Sequence, residues 1–159
     1  MMKKLNSLRV LEAQGMRYEV LSFPDTIRSA VGVATYYGLS SAQVYKTLVV
    51  VLSQGKPALV LIAGDRELQL KLLAQALGEK KLRMATQKEA EMWTGLKVGG
   101  ISALALCHRG FPVYIDRAAA ALDEIVVSAG QRGMDIRLTV PDLVRATGAT
   151  FVEATMFPA

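Results

Sequence analysis

Gln43-Val44-Tyr45-Lys46-Thr47-Leu48-Val49-Val50-Val51-Leu52 sets one lysine into a run of β-branched and aliphatic residues. A buried strand normally excludes Lys, because taking an ammonium out of water is costly unless it finds a partner. Lys46 stands at the front edge of the run, so its head group is expected to open into a cleft. Five residues, Ser53-Gln54-Gly55-Lys56-Pro57, separate this run from a second apolar one, Ala58 to Ala63. The pair reads as a β-hairpin.

Elements on either side follow from spacing and punctuation. Leu5, Leu8, Val10 and Leu11 form a helical stripe that ends at Gly15. Tyr18 to Phe23 alternates as a half-buried strand, and Pro24-Asp25 turns it. A helix is expected from Ser29 to Tyr37, stopping at Gly38. Asp65 is expected to cap a helix carrying Leu68, Leu72, Leu73 and Ala76, closed by Gly78. Thr86 and Glu89 have capping-box spacing. Val113 to Ile115, Ile125 to Val127, Ile136 to Leu138 and Phe151-Val152 read as strands, with another expected near Leu104. Arg117 to Leu122 reads as a helical turn or two, and Pro141 opens a helix that ends at Gly148. Strands and helices do not alternate strictly, which argues against a doubly wound parallel sheet. The expected class is α+β: a mixed, mainly antiparallel sheet, curled or closed into a barrel, with helices around it.

The chain has 159 residues, 52% hydrophobic and 21% charged, which suits one globular domain over 1–159. No apolar stretch approaches the ~20 residues of a membrane span. The start, Met1 to Asn6, is basic but leads into no apolar run, so no signal peptide is expected. A single cysteine, Cys107, excludes an intrachain disulfide and fits a reducing cytoplasm. The formal charge is +5. Between Lys71 and Arg109, seven cations stand against three carboxylates. Lys80, Lys81, Arg83 and Lys97 belong to this segment, which suits a phosphate-rich partner or, more plainly, a solvated surface.

Four groups could carry chemistry. Lys46 could hold a phosphate or carbonyl oxygen, or could snorkel with its head in water. Gly99-Gly100-Ile101-Ser102 could offer bare backbone N–H groups to an oxyanion, or could be an ordinary tight turn. Ser128 and Asp135 could bond a ribose or an amine, or their own backbone. Cys107 and His108, adjacent on an expected strand, would point to opposite faces and form no dyad. No group of Cys, His and carboxylates has metal spacing, and neither a P-loop nor a dinucleotide fingerprint is present, so no metal or cofactor is expected.

Several blocks recur in a telling order: Leu39 to Val51, Gly64-Asp65, Lys80-Lys81 with Met84-Ala85, Thr94-Gly95, Gly99 to Ser102, and Val127 to Asp135. Together, over about 100 residues, they resemble the YbaK-type aminoacyl-tRNA deacylases, relatives of the editing domain of bacterial prolyl-tRNA synthetases. The resemblance implies a curled-sheet fold and a freestanding hydrolase. It would remove cysteine or alanine from tRNA(Pro) with chemical help from the substrate. It implies Lys46 and Gly100 as catalytic, with Phe23, Thr47, Gly99, Ile101, Ser102, Ser128 and Asp135 around the substrate. The partners implied are the acceptor end of an aminoacyl-tRNA and a prolyl-tRNA synthetase. Family members commonly carry proline after Gly-Gly-Ile-Ser, where this chain has Ala103, so a softer loop is expected. The other reading is an adaptor that binds tRNA without cleaving it.

Overall fold

A computed structural model describes residues 5–157. The basic start, Met1 to Lys4, lies outside them. The hairpin read from the sequence is the centre of the molecule. Strand β2 (Tyr45–Val51) pairs antiparallel with β3 (Pro57–Ala63), and Lys46 stands opposite Ile62. Five strands make this sheet. The short β5 (Arg83–Met84) flanks β2, while β6 (Val113–Asp116) and β9 (Thr150–Val152) extend the β3 side in parallel.

β3 is buried on both faces, and its side chains divide by the strand's period of two. Leu59, Leu61 and Ala63 enter one core; Ala58, Val60 and Ile62 enter a second. The larger core is closed by a second sheet. In it β1 (Glu19–Ser22), β8 (Met134–Thr139) and β7 (Glu124–Gln131) pair antiparallel in that order. Helices α1 (Asn6–Ala13) and α5 (Val140–Thr147) contribute Leu11 and Leu143 to the same core. The smaller core lies under α3 (Leu70–Leu77), whose Leu73 is fully buried. A third, small cluster joins α2 (Ala30–Tyr37) to Val44 and Val126.

The expected helices stop where the glycines place them, at Gly38, Gly78 and Gly148. The capping box of α4 (Gln87–Thr94) is present: Glu89 N–H donates to Thr86 Oγ1, and Thr86 N–H donates to Glu89 Oε1. Other expectations need correction. The sheets do not close into a barrel. Asp65 caps no helix: Glu67–Leu68 instead forms a two-residue strand, β4, paired with β10 (Thr155–Met156), so α3 begins only after Gln69. Two-residue strands have too little pattern to be read from sequence. No strand forms near Leu104; residues 103–110 are consecutive turns that carry Cys107 and His108. The dyad argument from strand geometry therefore lapses. Ala103, where a softer loop is expected, is 3% exposed and packs in the larger core.

One buried acid is structural. Asp116 Oδ1 accepts from Ala154 N–H at 3.0 Å, and its Oδ2 accepts from Thr155 Oγ1 at 2.9 Å. It ties the end of β6 to the chain beyond β9.

The double burial of β3 predicts a sharp contrast in stability. Leu61→Ala should cost ~2–5 kcal/mol in denaturant unfolding, as a core truncation leaving a cavity. Met92→Ala, at an exposed site on α4, should stay within about 0.5 kcal/mol of the parent.

Candidate functional site

Lys46 is the second residue of β2 and shares a face with Leu48 and Val50. Those two pack in the smaller core, but the lysine is exposed. Its ammonium has no hydrogen bond or ion pair with any described residue. It lines a cavity of about 330 Å³, within the usual range for small-ligand sites.

The cavity is assembled from four parts of the chain. The start of β2 supplies Lys46 and Thr47. The loop after α4 supplies Val98, Gly99 and Ile101. The β7–β8 hairpin supplies Ser128, Arg132 and Asp135. The segment leading into α2 supplies Phe23, Arg28 and Ser29. Phe23, Lys46, Thr47, Gly99, Ile101, Ser128 and Asp135, each expected from the sequence, therefore meet around one space.

Gly100 and Ser102 do not reach the cavity wall. A Cβ on Gly100 would lie 2.9 Å from the backbone nitrogen of Arg132 and 2.9 Å from the carbonyl carbon of Gln131. The glycine is there so that the loop can press against the hairpin. It is Gly99, not Gly100, that takes a left-handed conformation, at φ +95°. The Gly100 N–H is engaged too, donating to Lys97 O at 2.8 Å. Ser102 is buried, and its Oγ accepts from Ala105 N–H at 3.1 Å. Sequence alone gives two adjacent glycines; which one faces a ligand depends on the neighbour it packs against.

The loop is held from two sides. Arg132 Nε donates to Val98 O at 2.8 Å, and Val98 N–H donates to Glu91 Oε2 at 2.8 Å. The Val98 bond is the main reason the Glu91 carboxyl sits below its ordinary range. Arg132 was not singled out from sequence, although it stands inside the Val127–Asp135 block. Arg28 and Ser29 also line the cavity, outside the blocks that carry the resemblance.

Ser128 and Asp135 face each other across β7 and β8, just before a register shift at the hairpin end. Ser128 Oγ accepts from Gly130 N–H at 3.2 Å, the local bond expected of a serine at a turn. Asp135 is 7% exposed and bonds to no described residue. Burial lifts its carboxyl to about 7. Behind it, burial and the nearby Asp135 push the Tyr37 phenol above its ordinary range. The Tyr37 hydroxyl is buried without a partner, and its ring meets Phe23 edge-on at 6.1 Å.

The four basic residues expected to hold nucleic acid separate. Lys80 and Lys81 are exposed beside the far end of the β2–β3 hairpin, where Lys81 N–H donates to Ser53 Oγ. At about 3.3 Å per strand residue they lie roughly 20 Å from Lys46. Arg83 is committed to Glu89 through two parallel bonds of 2.7 and 2.8 Å. Only Lys97 adjoins the cavity loop. No group of His, Cys, Asp and Glu among the described residues could hold a metal ion. Nor is any of their helices long and apolar enough to cross a membrane.

Two outcomes test this geometry. Gly100→Ala should destabilise the fold by ~1–3 kcal/mol through overpacking against the hairpin, seen as a lower unfolding midpoint. Asp135 sets a pH dependence. Its folded carboxyl keeps a proton to about 7, whereas an unfolded aspartate releases it near 3.8. Between those values the native state binds the extra proton, so stability falls as pH rises and levels off above about 7. Urea unfolding of the parent and of Asp135→Asn from about pH 4 to about pH 8 should show this slope in the parent and its loss in the variant.

Comparison with known proteins places this architecture. Residues 25–146 match the model of the aminoacyl-tRNA editing domain. The EbsC protein of Enterococcus faecalis, named as a candidate Cys-tRNA(Pro)/Cys-tRNA(Cys) deacylase, is 36% identical over 155 residues, covering 96% of this chain and 94% of that protein. Proline--tRNA ligase of Pelobacter propionicus is 31% identical over 111 residues, but the match takes up only 19% of the ligase. Among solved structures, one described as a candidate trans-editing enzyme for prolyl tRNA synthetase superposes with a TM-score of 0.81 at 27% identity, covering 98% of this chain and 99% of that one. With the editing-domain model matched over residues 25–146 and a 36% identical relative covered almost end to end, the chain belongs to the aminoacyl-tRNA editing domain family.

Proposed function

We propose that this chain is a cytoplasmic, freestanding editing domain that hydrolyses the ester between a wrong amino acid and the 3′ end of tRNA. The substrates proposed are Cys-tRNA(Pro) and Ala-tRNA(Pro), products of a prolyl-tRNA synthetase. A pocket shaped for proline rejects similarly small side chains poorly, which is why such an activity is needed. The observation that carries the reading is Lys46. It is an unpaired ammonium at the wall of a cavity that also holds a buried, unbonded carboxyl.

The cavity lining contains no His or Cys, so no side-chain acid–base pair of the usual kind is at hand. A group on the substrate then either attacks the ester itself or orients the water that does. For a cysteinyl ester, its own thiol attacks the ester carbonyl, the ribose oxygen leaves with the thiol's proton, and water then opens the resulting cyclic thioester to give free cysteine. For an alanyl ester, a ribose hydroxyl orients a water. The protein's part is to position the ester and stabilise charge. Lys46 faces the developing oxyanion. Asp135 and Ser128 receive the α-amine and the ribose, and Phe23 and Ile101 provide apolar wall. An α-ammonium beside Asp135 favours its carboxylate, so binding should draw that group's proton off.

The test is a panel of mischarged tRNAs incubated with the parent and Lys46→Ala. The parent should release cysteine or alanine from tRNA(Pro). Lys46→Ala should fold normally and lose ~10²–10³ in rate, the usual effect of removing one preorganised electrostatic contact. Near-normal turnover by the variant would sink the role of Lys46. Binding of tRNA by the parent without release of any amino acid would favour the adaptor reading.

A further inference from the structure

We propose that Arg132 and Arg28 form a phosphodiester-binding subsite at the cavity, holding the backbone phosphate of the terminal nucleotide while Lys46 attends to the ester. The proposal rests on the functional reading above and adds the part of the substrate that these two side chains recognise.

The argument starts from charge. Four ionisable side chains other than Tyr45 line the cavity: Arg28, Lys46, Arg132 and Asp135. Three are cations, and the one acid is shielded from solvent. The ligand's amino-acid portion cannot account for this. Its carboxyl group is tied up in the ester, and its α-amine is itself cationic. The anion that an aminoacylated RNA end does carry is the phosphate on the other side of the ribose. A cavity this basic is therefore built to meet the nucleotide as well as the amino acid.

The geometry of Arg132 narrows the assignment. Its Nε is engaged by Val98 O at 2.8 Å, which fixes the guanidinium plane beside Gly99. Its two Nη groups have no hydrogen-bond partner among the described residues. A guanidinium anchored through one nitrogen and free at the other two presents a preorganised fork, the arrangement that suits a phosphate. Glu91 is a competing acid, and Arg132 does help to hold its carboxyl low. Its Oε2 is nonetheless bonded to Val98 N–H, and it does not line the cavity. Arg28 lines the same cavity, on the segment whose Phe23 N–H donates to Gly133 O, next to Arg132. It too bonds to no described residue, and it directly precedes Ser29, the N-cap of α2.

Ligands that differ only in the phosphate test the subsite. Adenosine 5′-monophosphate, adenosine and inorganic phosphate would be titrated into the full-length protein and into Arg132→Gln and Arg28→Gln. The parent should bind the monophosphate about tenfold or more tightly than adenosine, as charge-assisted hydrogen bonds warrant, and more tightly than inorganic phosphate. Arg28→Gln should narrow the gap between monophosphate and adenosine and leave adenosine affinity unchanged, and Arg132→Gln, which also loses the bond to Val98 O, should weaken the monophosphate more than adenosine. If Arg132 merely braced the loop, its variant would weaken both ligands alike. Arg28→Gln removes no bond seen in the structure and covers the case in which Arg132→Gln misfolds. On mischarged tRNA, Arg28→Gln should raise KM, keep kcat and reduce the slope of log KM against log salt by roughly 0.7. Equal binding of monophosphate and adenosine by the parent, no binding of either, phosphate binding as tight as monophosphate, or a gap untouched by both substitutions would each overturn the subsite. Those results are separate from deacylation. A parent that hydrolyses mischarged tRNA without preferring the monophosphate loses only the subsite. A parent that shows the preference without hydrolysis loses only the enzyme.

Discussion

The structure depends on one strand being wet on neither side. β3 fills both large cores, so its register against β2 cannot slip by a residue without turning Leu59 and Leu61 out of one core and Val60 and Ile62 out of the other. That register sets the exposed Lys46 opposite Ile62, which is itself buried in the smaller core. The lysine is thus held in place by apolar packing to which it contributes little.

A second constraint joins the walls of the cavity. The Val98 peptide is gripped at its carbonyl by the β7–β8 hairpin and at its N–H by α4. The capping box at Thr86 fixes the start of α4, and Arg109 closes its other end by donating to the carbonyls of Trp93 and Thr94. Two cations from the basic segment, Arg83 and Arg109, are therefore occupied within the fold. Of the remaining five, Lys97 lies near the cavity, Lys80 and Lys81 lie at the opposite end of the central hairpin, and Lys71 and Lys88 are exposed on α3 and α4.

Much of this was legible in the sequence. Period-two runs, glycine stops and a capping box identify the helices and long strands, because each rests on a local rule. The meeting of Phe23, Lys46, Thr47, Gly99, Ser128 and Asp135 came from family resemblance, since residues so far apart in the chain carry no pattern that joins them. Tertiary contact decided the rest. Gly100 looks like a ligand-facing glycine until the backbone of Gln131 and Arg132 is found against it. Asp65 looks like a cap until β10 claims the residues after it. Arg132 looks like one more surface cation because its partner, a backbone carbonyl 34 residues away, has no side-chain signature.

The pairing of β1 with β8 has a consequence for the order in which the molecule takes shape. Glu19 to Ser22 finds its partner only at Met134 to Arg137, and Ser7 Oγ donates to Ala129 O, 122 residues onward. During synthesis the central hairpin can form early, since its two strands are neighbours in sequence. The amino-terminal segment must wait until the last hairpin has left the ribosome, because the strand that receives it does not yet exist. Phe23 follows directly on β1, and Asp135 lies across from Leu21. The cavity is therefore among the last features to appear. A nascent chain can own a folded core well before it owns a place for a substrate.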